Sequence, residues 1–209
     1  RIGTTSSADS AFAYLPYTAS GQPVAVAGDV WLQSTNDFFN DTASLVDGTY
    51  WNSVTTHEIG HALGLAHTHE AETIGATTYG TTTTLGSVHN SLSYSVMAYP
   101  EYVGGAISLV SIANKPTTLM IDDIAALQYL YGVDTNTNSG DTTYTLSSFS
   151  DDNLDTIYAS IWDAGGTDTF SWSDQNSIAS IDLNGGSFSC FGNITGVNDA
   201  ALKSDSWSA

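Results

Sequence analysis

Residues 56–67 read Thr56-His57-Glu58-Ile59-Gly60-His61-Ala62-Leu63-Gly64-Leu65-Ala66-His67. On a helix, His57 and His61 are four residues apart, so they project from one face and can bind one cation together. Gly64 can end that helix in a left-handed conformation, which lets the chain double back and bring His67 to the same ion. Three neutral imidazoles with one open position are typical of a catalytic zinc rather than a structural one. Glu58 is left outside the ligand set and can act as a base.

The overall composition bounds the class of protein. The chain has 209 residues, enough for one large domain or two small ones, and 41% of them are hydrophobic, which favours a globular fold. Only 3 lysines and arginines stand against 22 aspartates and glutamates, for a formal net charge of −19. So few cations argue against binding to nucleic acid or to a membrane. The acid excess is either a self-repelling soluble surface or, in part, a set of ligands for Ca²⁺.

The single cysteine and the start of the chain lead to two separate expectations. Cys190 is the single cysteine, which excludes an internal disulfide framework. No run of about 20 apolar residues predicts a transmembrane helix. The chain opens on Arg1 rather than Met, and no signal peptide is present, so we expect a processed product or a fragment.

The residues before the motif are predicted to form strands. Residues 11–16 are a short apolar run stopped by proline, which is typical of an edge strand. A second strand is predicted within residues 24–32, with a bulge or turn at Gly28-Asp29. The motif helix is predicted from an N-cap at Ser53 to about Leu63.

The motif spacing resembles that of the metzincin zinc proteases. Residues 68–95 are rich in Thr, Ser and Gly, and we expect a long loop with one hairpin that walls one side of a cleft. In metzincins a tight turn carrying a methionine lies beneath the metal, and Met97 is the candidate. Tyr99, two residues later, can reach the metal or the substrate oxygen; the alternative is a half-buried tyrosine with no chemical role. For His69 and His89 we favour surface or packing roles.

A second helix is predicted from Met120 to Tyr131. Asp122 and Asp123 fall in its first turn, where the helix dipole favours acids, and Gly132 provides a natural stop. We interpret this segment as a packing helix with no chemistry of its own.

A domain boundary is predicted after Val133, which divides the chain into residues 1–133 and 134–209. After a polar linker at 134–141, residues 157–162 alternate as a strand does. The same pattern continues at Phe170, Trp172, Ile178, Ile181, Leu183 and Phe188. Between two predicted strands, residues 163–168 read Asp-Ala-Gly-Gly-Thr-Asp, a loop in which carbonyls and carboxylates can converge on Ca²⁺. The alternative is a Gly-Gly turn with no ion.

Several stretches together resemble the serralysin family, which are secreted bacterial zinc proteases of the metzincin clan. The stretches are residues 57–67, 96–99, 120–128, 162–170, 181–184 and 186–189. This resemblance implies an α+β fold, in which the C-terminal portion of a metzincin zinc-protease catalytic domain is followed by the start of a calcium-binding β-roll or β-sandwich domain. It also implies a secreted, extracellular protein that acts on protein or peptide substrates.

The resemblance assigns roles to individual residues. It implies zinc held by His57, His61 and His67, with Tyr99 as a weaker, displaceable ligand. The edge strand along which substrate lies would be Ala11, Phe12, Ala13, Tyr14 and Leu15. The calcium ligands would be Asn138, Gly140, Thr142, Asp163, Gly165, Gly166 and Asp168. The family usually has Arg where Asn138 stands, and that contact is made by the backbone carbonyl.

The chain departs from the family pattern at both ends. In the family, further strands and a helix precede a segment like Arg1, and glycine-rich calcium repeats follow a position like Ala209. Cys190 stands where the family usually has a polar residue. We therefore expect an internal segment, with the missing remainder of the same protease as a candidate partner chain.

The hypothesis from sequence is a zinc endopeptidase. Zinc would activate a water, Glu58 would take its proton and pass it to the leaving amine, and Tyr99 would stabilise the oxyanion. Two alternatives remain: a non-enzymatic, calcium-stabilised secreted module, and another metzincin such as an astacin-like protease. The astacin-like alternative shares the zinc motif and the tyrosine but does not explain the loop at 163–168.

Overall fold

The computed structural model describes residues 1–6, 11–16, 25–34, 49–69, 72–74, 77–79, 85, 88–105, 115–145, 159–171, 179–191 and 205–206. Within these ranges the helices are α1 (Tyr50–Ala62) and α2 (Ile121–Tyr131). The strands are β1 (Ile2–Thr5), β2 (Phe12–Ala13), β3 (Val30–Gln33), β4 (Glu72–Ile74), β5 (Thr77–Tyr79), β6 (Thr143–Thr145), β7 (Thr169–Ser171), β8 (Ala179–Ser180), β9 (Phe188–Phe191) and β10 (Asp205–Ser206). Neither helix is long and apolar enough to cross a membrane.

The first sheet has the order β1-β3-β2, with β1 parallel and β2 antiparallel to β3. The short strand β2 lies at an edge of this sheet, as the proline-stopped run at residues 11–16 predicts. The predicted turn before β3 is also present, because Gly28 adopts a φ of 72° that favours glycine. The strand predicted within 24–32 therefore begins only at Val30.

Helix α1 begins earlier than the sequence predicts. Thr49 is its N-cap and accepts a hydrogen bond from the backbone N–H of Asn52 at 3.3 Å. The predicted cap at Ser53 was wrong, since Ser53 lies inside the first turn and donates its backbone N–H to Thr49 at 3.1 Å. The additional first turn includes Trp51, which is buried.

The end of α1 follows the prediction for Gly64. Gly64 has a φ of 99° and donates its N–H to His61 at 2.9 Å. Leu65 donates to the carbonyl of Gly60 at 3.0 Å, which completes a Schellman motif. This reversal turns the chain back toward the face of α1 that carries the first two motif histidines.

A small core joins the two helices to the segment between them. It is formed by the buried side chains Leu65, Val96, Met97 and Met120, with Leu119, Ala126 and Leu127 packed against it. Helix α2 ends at Gly132 (φ 90°), as predicted. The hydroxyl of Tyr131 donates to the carbonyl of Leu63 at 2.7 Å and so ties the ends of the helices together.

The second half of the chain contains short strands, as its alternating apolar and polar residues predict. Strands β6 and β7 pair in parallel, and β9 lies between β8 and β10 in an antiparallel sheet. The ring of Phe188 lies 4.9 Å from that of Tyr94, which brings this half against the segment before Met97. The hairpin predicted within residues 68–95 is formed by β4 and β5.

Two of the predicted strands in this half were wrong. Residues 159–162 are not assigned to a strand, and the backbone N–H of Ser160 donates to Oγ1 of Thr118 at 2.8 Å. Residues 181–183 follow β8 as an exposed turn, in which Asp182 accepts the N–H of Asn184 at 3.0 Å. The predicted positions Ile157, Tyr158, Trp172 and Ile178 lie outside the described residues.

Candidate metal centre and active-site cleft

The three motif histidines converge on one point. Their Nε2 atoms are separated by 3.2 Å between His57 and His67, and by 3.0 Å between His61 and His67. They form the one group of three potential metal ligands of the His, Cys, Asp and Glu types among the described residues. A zinc ion bound tetrahedrally at about 2.0–2.1 Å from each nitrogen would place the nitrogens about 3.3–3.4 Å apart. The spacing in this structure therefore fits zinc.

Two of these rings are held in the tautomer that a metal needs. Nδ1 of His57 lies 2.7 Å from the carbonyl oxygen of Val96, and Nδ1 of His61 lies 2.8 Å from that of Leu65. A carbonyl only accepts, so each Nδ1 carries the proton and each neutral ring directs the Nε2 lone pair inward. Burial lowers the pKa of His57 to about 4, which keeps this ring neutral at pH 7.

Glu58 lies on α1 beside the first histidine and is 8% exposed. Burial raises the pKa of its carboxyl to about 7. It lines the same cleft as the three histidines. A carboxyl group with this pKa can both accept and return a proton near neutral pH, which suits a general base.

Met97 lies directly beneath the motif helix and is 1% exposed. A Cβ built on Gly60 would lie 2.6 Å from its sulfur, so any larger residue at this position would force the Met97 side chain to shift. The residue before it, Val96, supplies the carbonyl that holds His57. Sequence reasoning did not assign this steric role to Gly60, although Gly60 lies within the motif.

Tyr99 places its hydroxyl at the histidine cluster. The hydroxyl oxygen lies 3.1 Å from Nε2 of His67, and the two ring centroids are 4.9 Å apart. His69 packs next to them, with its ring 4.6 Å from that of Tyr99 and 5.7 Å from that of His67. This arrangement agrees with the packing role favoured for His69, but the packing is against the site itself.

A cleft of about 490 Å³ opens in front of the histidines. Its walls include Ala11, Phe12 and Ala13, so the edge strand β2 borders the candidate centre. Tyr14 and Leu15 do not line the cleft. Lys115 also lines the cleft, although no sequence pattern predicts a site role for it; its side chain is 5% exposed, and Nζ lies 3.1 Å from Oε1 of Glu101.

A buried acid supports the turn that carries Met97. Asp123 is 2% exposed and accepts hydrogen bonds from Ser95 Oγ at 2.6 Å and from the N–H of Val96 at 2.8 Å. Burial raises its pKa to about 6, against the opposing effect of these hydrogen bonds. The interpretation of Asp123 as a helix-dipole acid was incomplete, because the sequence does not show what faces the carboxylate.

The predicted calcium loops lie against each other. A Cβ on Gly166 (φ 132°) would lie 2.6 Å from the carbonyl oxygen of Gly140, so the two glycines are in direct backbone contact. Thr142 donates its N–H to Oδ1 of Asp168 at 2.9 Å. Asn138 has a φ of 51° and donates its side-chain amide to the carbonyl of Trp162 at 3.0 Å.

The carboxylate of Asp163, in the second of these loops, accepts hydrogen bonds from two donors. Oδ1 accepts the N–H of Gly165 at 2.9 Å, and Oδ2 accepts the hydroxyl of Tyr144 at 2.5 Å. Burial and this hydrogen bond raise the pKa of Tyr144, so the hydroxyl stays protonated and donates. The two carboxylates and the glycine carbonyls are the hard oxygen donors that Ca²⁺ prefers, and the donor chemistry fits that ion.

Comparison with known protein families agrees with this geometry. Residues 10–91 match the family model described as Matrixin, and residues 123–203 match the one described as Peptidase M10 serralysin C terminal. The chain is 36% identical over 207 residues to Metallopeptidase AprA of Pseudomonas marginalis, a match that covers 89% of this chain and 39% of the relative.

The chain belongs to the serralysin family. It is also similar to Serralysin C of Dickeya chrysanthemi, at 36% identity over 195 residues (89% of this chain, 38% of the relative). Serralysin of Proteus mirabilis is 35% identical over 193 residues, covering 88% of this chain and 38% of the relative. The chain thus spans 38 to 39% of the length of these relatives.

The serralysin assignment confirms the predicted fold class, a metzincin catalytic region followed by a serralysin C-terminal region. The match at residues 123–203 distinguishes this family from the astacin-like alternative. The domain boundary after Val133 stays a prediction.

Proposed function

We propose that this chain carries the catalytic centre of a zinc-dependent endopeptidase. The observation that carries the proposal is the convergence of the three histidines: Nε2 of His67 lies 3.0–3.2 Å from Nε2 of the other two, and Nδ1 of His57 and of His61 is each bonded to a backbone carbonyl. Neutral lone pairs directed at one point repel each other unless a cation lies between them. Zinc bound there supplies a Lewis acid that polarises a carbonyl group and acidifies water.

The chain's own residues would perform the proton transfers. Glu58 is the proposed general base: its carboxylate takes the proton of the attacking water and delivers it to the leaving amine. A pKa near 7 in the metal-free chain shows how strongly the site penalises the charged form. A cation nearby would favour that charged form and lower the pKa again.

Tyr99 is the proposed stabiliser of the oxyanion. Its hydroxyl oxygen lies 3.1 Å from His67 Nε2, which places the hydroxyl beside the proposed metal position. In this position it can act first as a weak ligand and then as a hydrogen-bond donor to the developing charge.

The edge strand β2 is the proposed binding site for the backbone of an extended peptide. Its residues line the cleft, and its other edge pairs with β3 at Phe12 and Ala13. An extended peptide can add to such an edge through main-chain hydrogen bonds, while its side chains enter the cleft. The proposed substrates are therefore extended segments of proteins or peptides, and the proposed location is extracellular, as the resemblance to secreted proteases implies.

We also propose Ca²⁺ in the loop pair of the C-terminal region. The proposed ligands are Asn138, Gly140, Thr142, Asp163, Gly165, Gly166 and Asp168. The contact between Gly140 and Gly166 and the fixed carboxylates of Asp163 and Asp168 support the site. Its role would be structural, since the ion would tie the start of the C-terminal region together.

A chelator experiment tests the enzymatic proposal against the non-enzymatic module. Hydrolysis of casein by the purified protein is measured with phenanthroline, and again after zinc is added back, with Ca²⁺ held constant. We expect hydrolysis to be lost and then restored. Protein that binds one zinc per chain but shows no hydrolysis would support the non-enzymatic module instead.

A further inference from the structure

Asp123 is a buried carboxylate surrounded by neutral donors. Besides Ser95 Oγ and the N–H of Val96, the N–H of Met120 donates to it at 2.9 Å, which caps the start of α2. An uncharged cap would satisfy the same N–H groups with a smaller desolvation cost. Satisfying these N–H groups therefore does not by itself require a charged side chain.

A chain of hydrogen bonds leads from this carboxylate to the first candidate zinc ligand. Nδ1–H of His57 donates to the carbonyl of Val96 at 2.7 Å. The N–H of the same peptide group, that of Met97, donates to Ser95 Oγ at 3.0 Å. The Ser95 hydroxyl donates in turn to Oδ1 of Asp123 at 2.6 Å. Every donor along this path points the same way, from the imidazole to the carboxylate.

We infer that Asp123 is a positioning residue for His57, acting through Ser95 and the peptide group between Val96 and Met97. Hydrogen bonds in series polarise one another, so the negative end of the chain makes the Val96 carbonyl a stronger acceptor. A stronger acceptor fixes the Nδ1–H tautomer and makes Nε2 more basic toward a metal. The inference rests on the proposed metal centre.

His61 provides an internal comparison. Its Nδ1–H donates to the carbonyl of Leu65 at 2.8 Å, within the turn that ends α1. That acceptor is fixed by the Schellman motif, whereas the acceptor of His57 is fixed by a path that ends at a charge. Interrupting the path should therefore change the tautomer preference and basicity of His57 and leave those of His61 unchanged.

Ser95→Ala is the variant that interrupts the path with the least damage. It removes the hydroxyl and leaves Asp123 its bonds to the backbone of Val96 and Met120. Ser93→Ala is the matched control, since Ser93 is also a buried serine of this segment and its hydroxyl has no hydrogen-bond partner among the described residues. Ser95→Thr restores a hydroxyl and serves as the rescue variant.

Two measurements report on His57 as a candidate zinc ligand. Imidazole nitrogen shifts in the metal-free protein report the tautomer, and competition with a chelator gives the zinc dissociation constant. In Ser95→Ala we expect the chemical shifts of the two ring nitrogens of His57 to move toward a common value, because the tautomer is less strongly fixed. The nitrogen chemical shifts of His61 should not change. We expect zinc to bind about tenfold more weakly. Ser95→Thr should recover most of both effects, and Ser93→Ala should show neither.

The inference is overturned if Ser95→Ala leaves the nitrogen chemical shifts of His57 unchanged. It is also overturned if the nitrogen chemical shifts of His57 and His61 change alike. It is also overturned if zinc affinity falls equally in the Ser93→Ala control. Failure of the proposed function looks different: the wild-type protein then binds zinc weakly or hydrolyses nothing, while the nitrogen shifts of the metal-free variants still separate His57 from His61.

Discussion

The sulfur of Met97 packs against the backbone of Gly60, only 2.6 Å from the position that a Cβ on that residue would occupy. The contact joins the helix that carries two candidate ligands to the turn that holds one of them through Val96. Because Met97 is buried, a methyl group at position 60 would require its side chain to shift within a packed core.

Gly60→Ala is therefore expected to destabilise the protein although alanine favours helices. Overpacking costs about 1–3 kcal/mol, and the gain in helix propensity offsets about 1 kcal/mol of it. Urea unfolding measures the change. In a double-mutant cycle with Met97→Ala, the second substitution should relieve part of the cost of the first, so the two effects should not add. A Gly60→Ala protein more stable than the wild type would contradict the packing argument.

Tyr99→Phe should separate metal binding from catalysis. The ring is kept and the hydroxyl near His67 is lost, so zinc content should stay at one per chain. Loss of a donor to the oxyanion is expected to lower kcat by about 10²–10³-fold with little change in KM. Tyr102→Phe, in an exposed tyrosine of the same segment, is the control. A Tyr99→Phe protein with the wild-type kcat would remove Tyr99 from the mechanism.

The proposed calcium site predicts which acids matter for thermal stability. Saturating Ca²⁺ should raise the melting temperature of the wild type, equivalent to about 2.7 kcal/mol at a hundred times the dissociation constant. Asp163→Asn and Asp168→Asn should each reduce this gain. Asp182→Asn, which alters an exposed aspartate that caps a similar turn, should keep it. An equal gain in all four proteins would mean that the ion is bound elsewhere.

Glu58 should make the metal-free protein less stable as the pH rises. Burial raises its pKa from 4.5 to about 7, so the cost of ionising it in the folded state is absent below pH 4.5 and complete above pH 7. Glu58→Gln should therefore be more stable than the wild type at pH 8 by roughly 3 kcal/mol, and no more stable at pH 4. Urea unfolding with phenanthroline and constant Ca²⁺ measures the difference; equal stability at pH 8 would contradict it.

The sequence predicted the elements whose cause is local. The spacing of His57, His61 and His67 and the glycine at position 64 depend on helix geometry alone, and the structure brings the three rings together. The end of α2 at Gly132 has the same kind of cause. The start of α1 was misplaced by one turn: Thr49 is the cap, and the extra turn contains Trp51, whose burial is a tertiary contact that the local pattern does not show.

The parts that the sequence did not predict depend on distant contacts. Alternation at residues 159–162 resembles a strand, but the segment bonds to the side chain of Thr118 instead of pairing with a strand. The role of Asp123 depends on Ser95, which is 28 residues away in the chain. Nothing within the local pattern of either segment shows that contact.

Glu58 is proposed to perform the proton transfer beside a zinc ion held by three histidines. Glu58→Gln keeps the size of the side chain and removes its basicity, so its zinc content and its turnover of casein should be measured together. We predict one zinc per chain and a turnover lower by about 10²–10⁴-fold, with Asp182→Asn as a control for the loss of one charge. Zinc-loaded Glu58→Gln protein that hydrolyses casein at the wild-type rate would contradict the account.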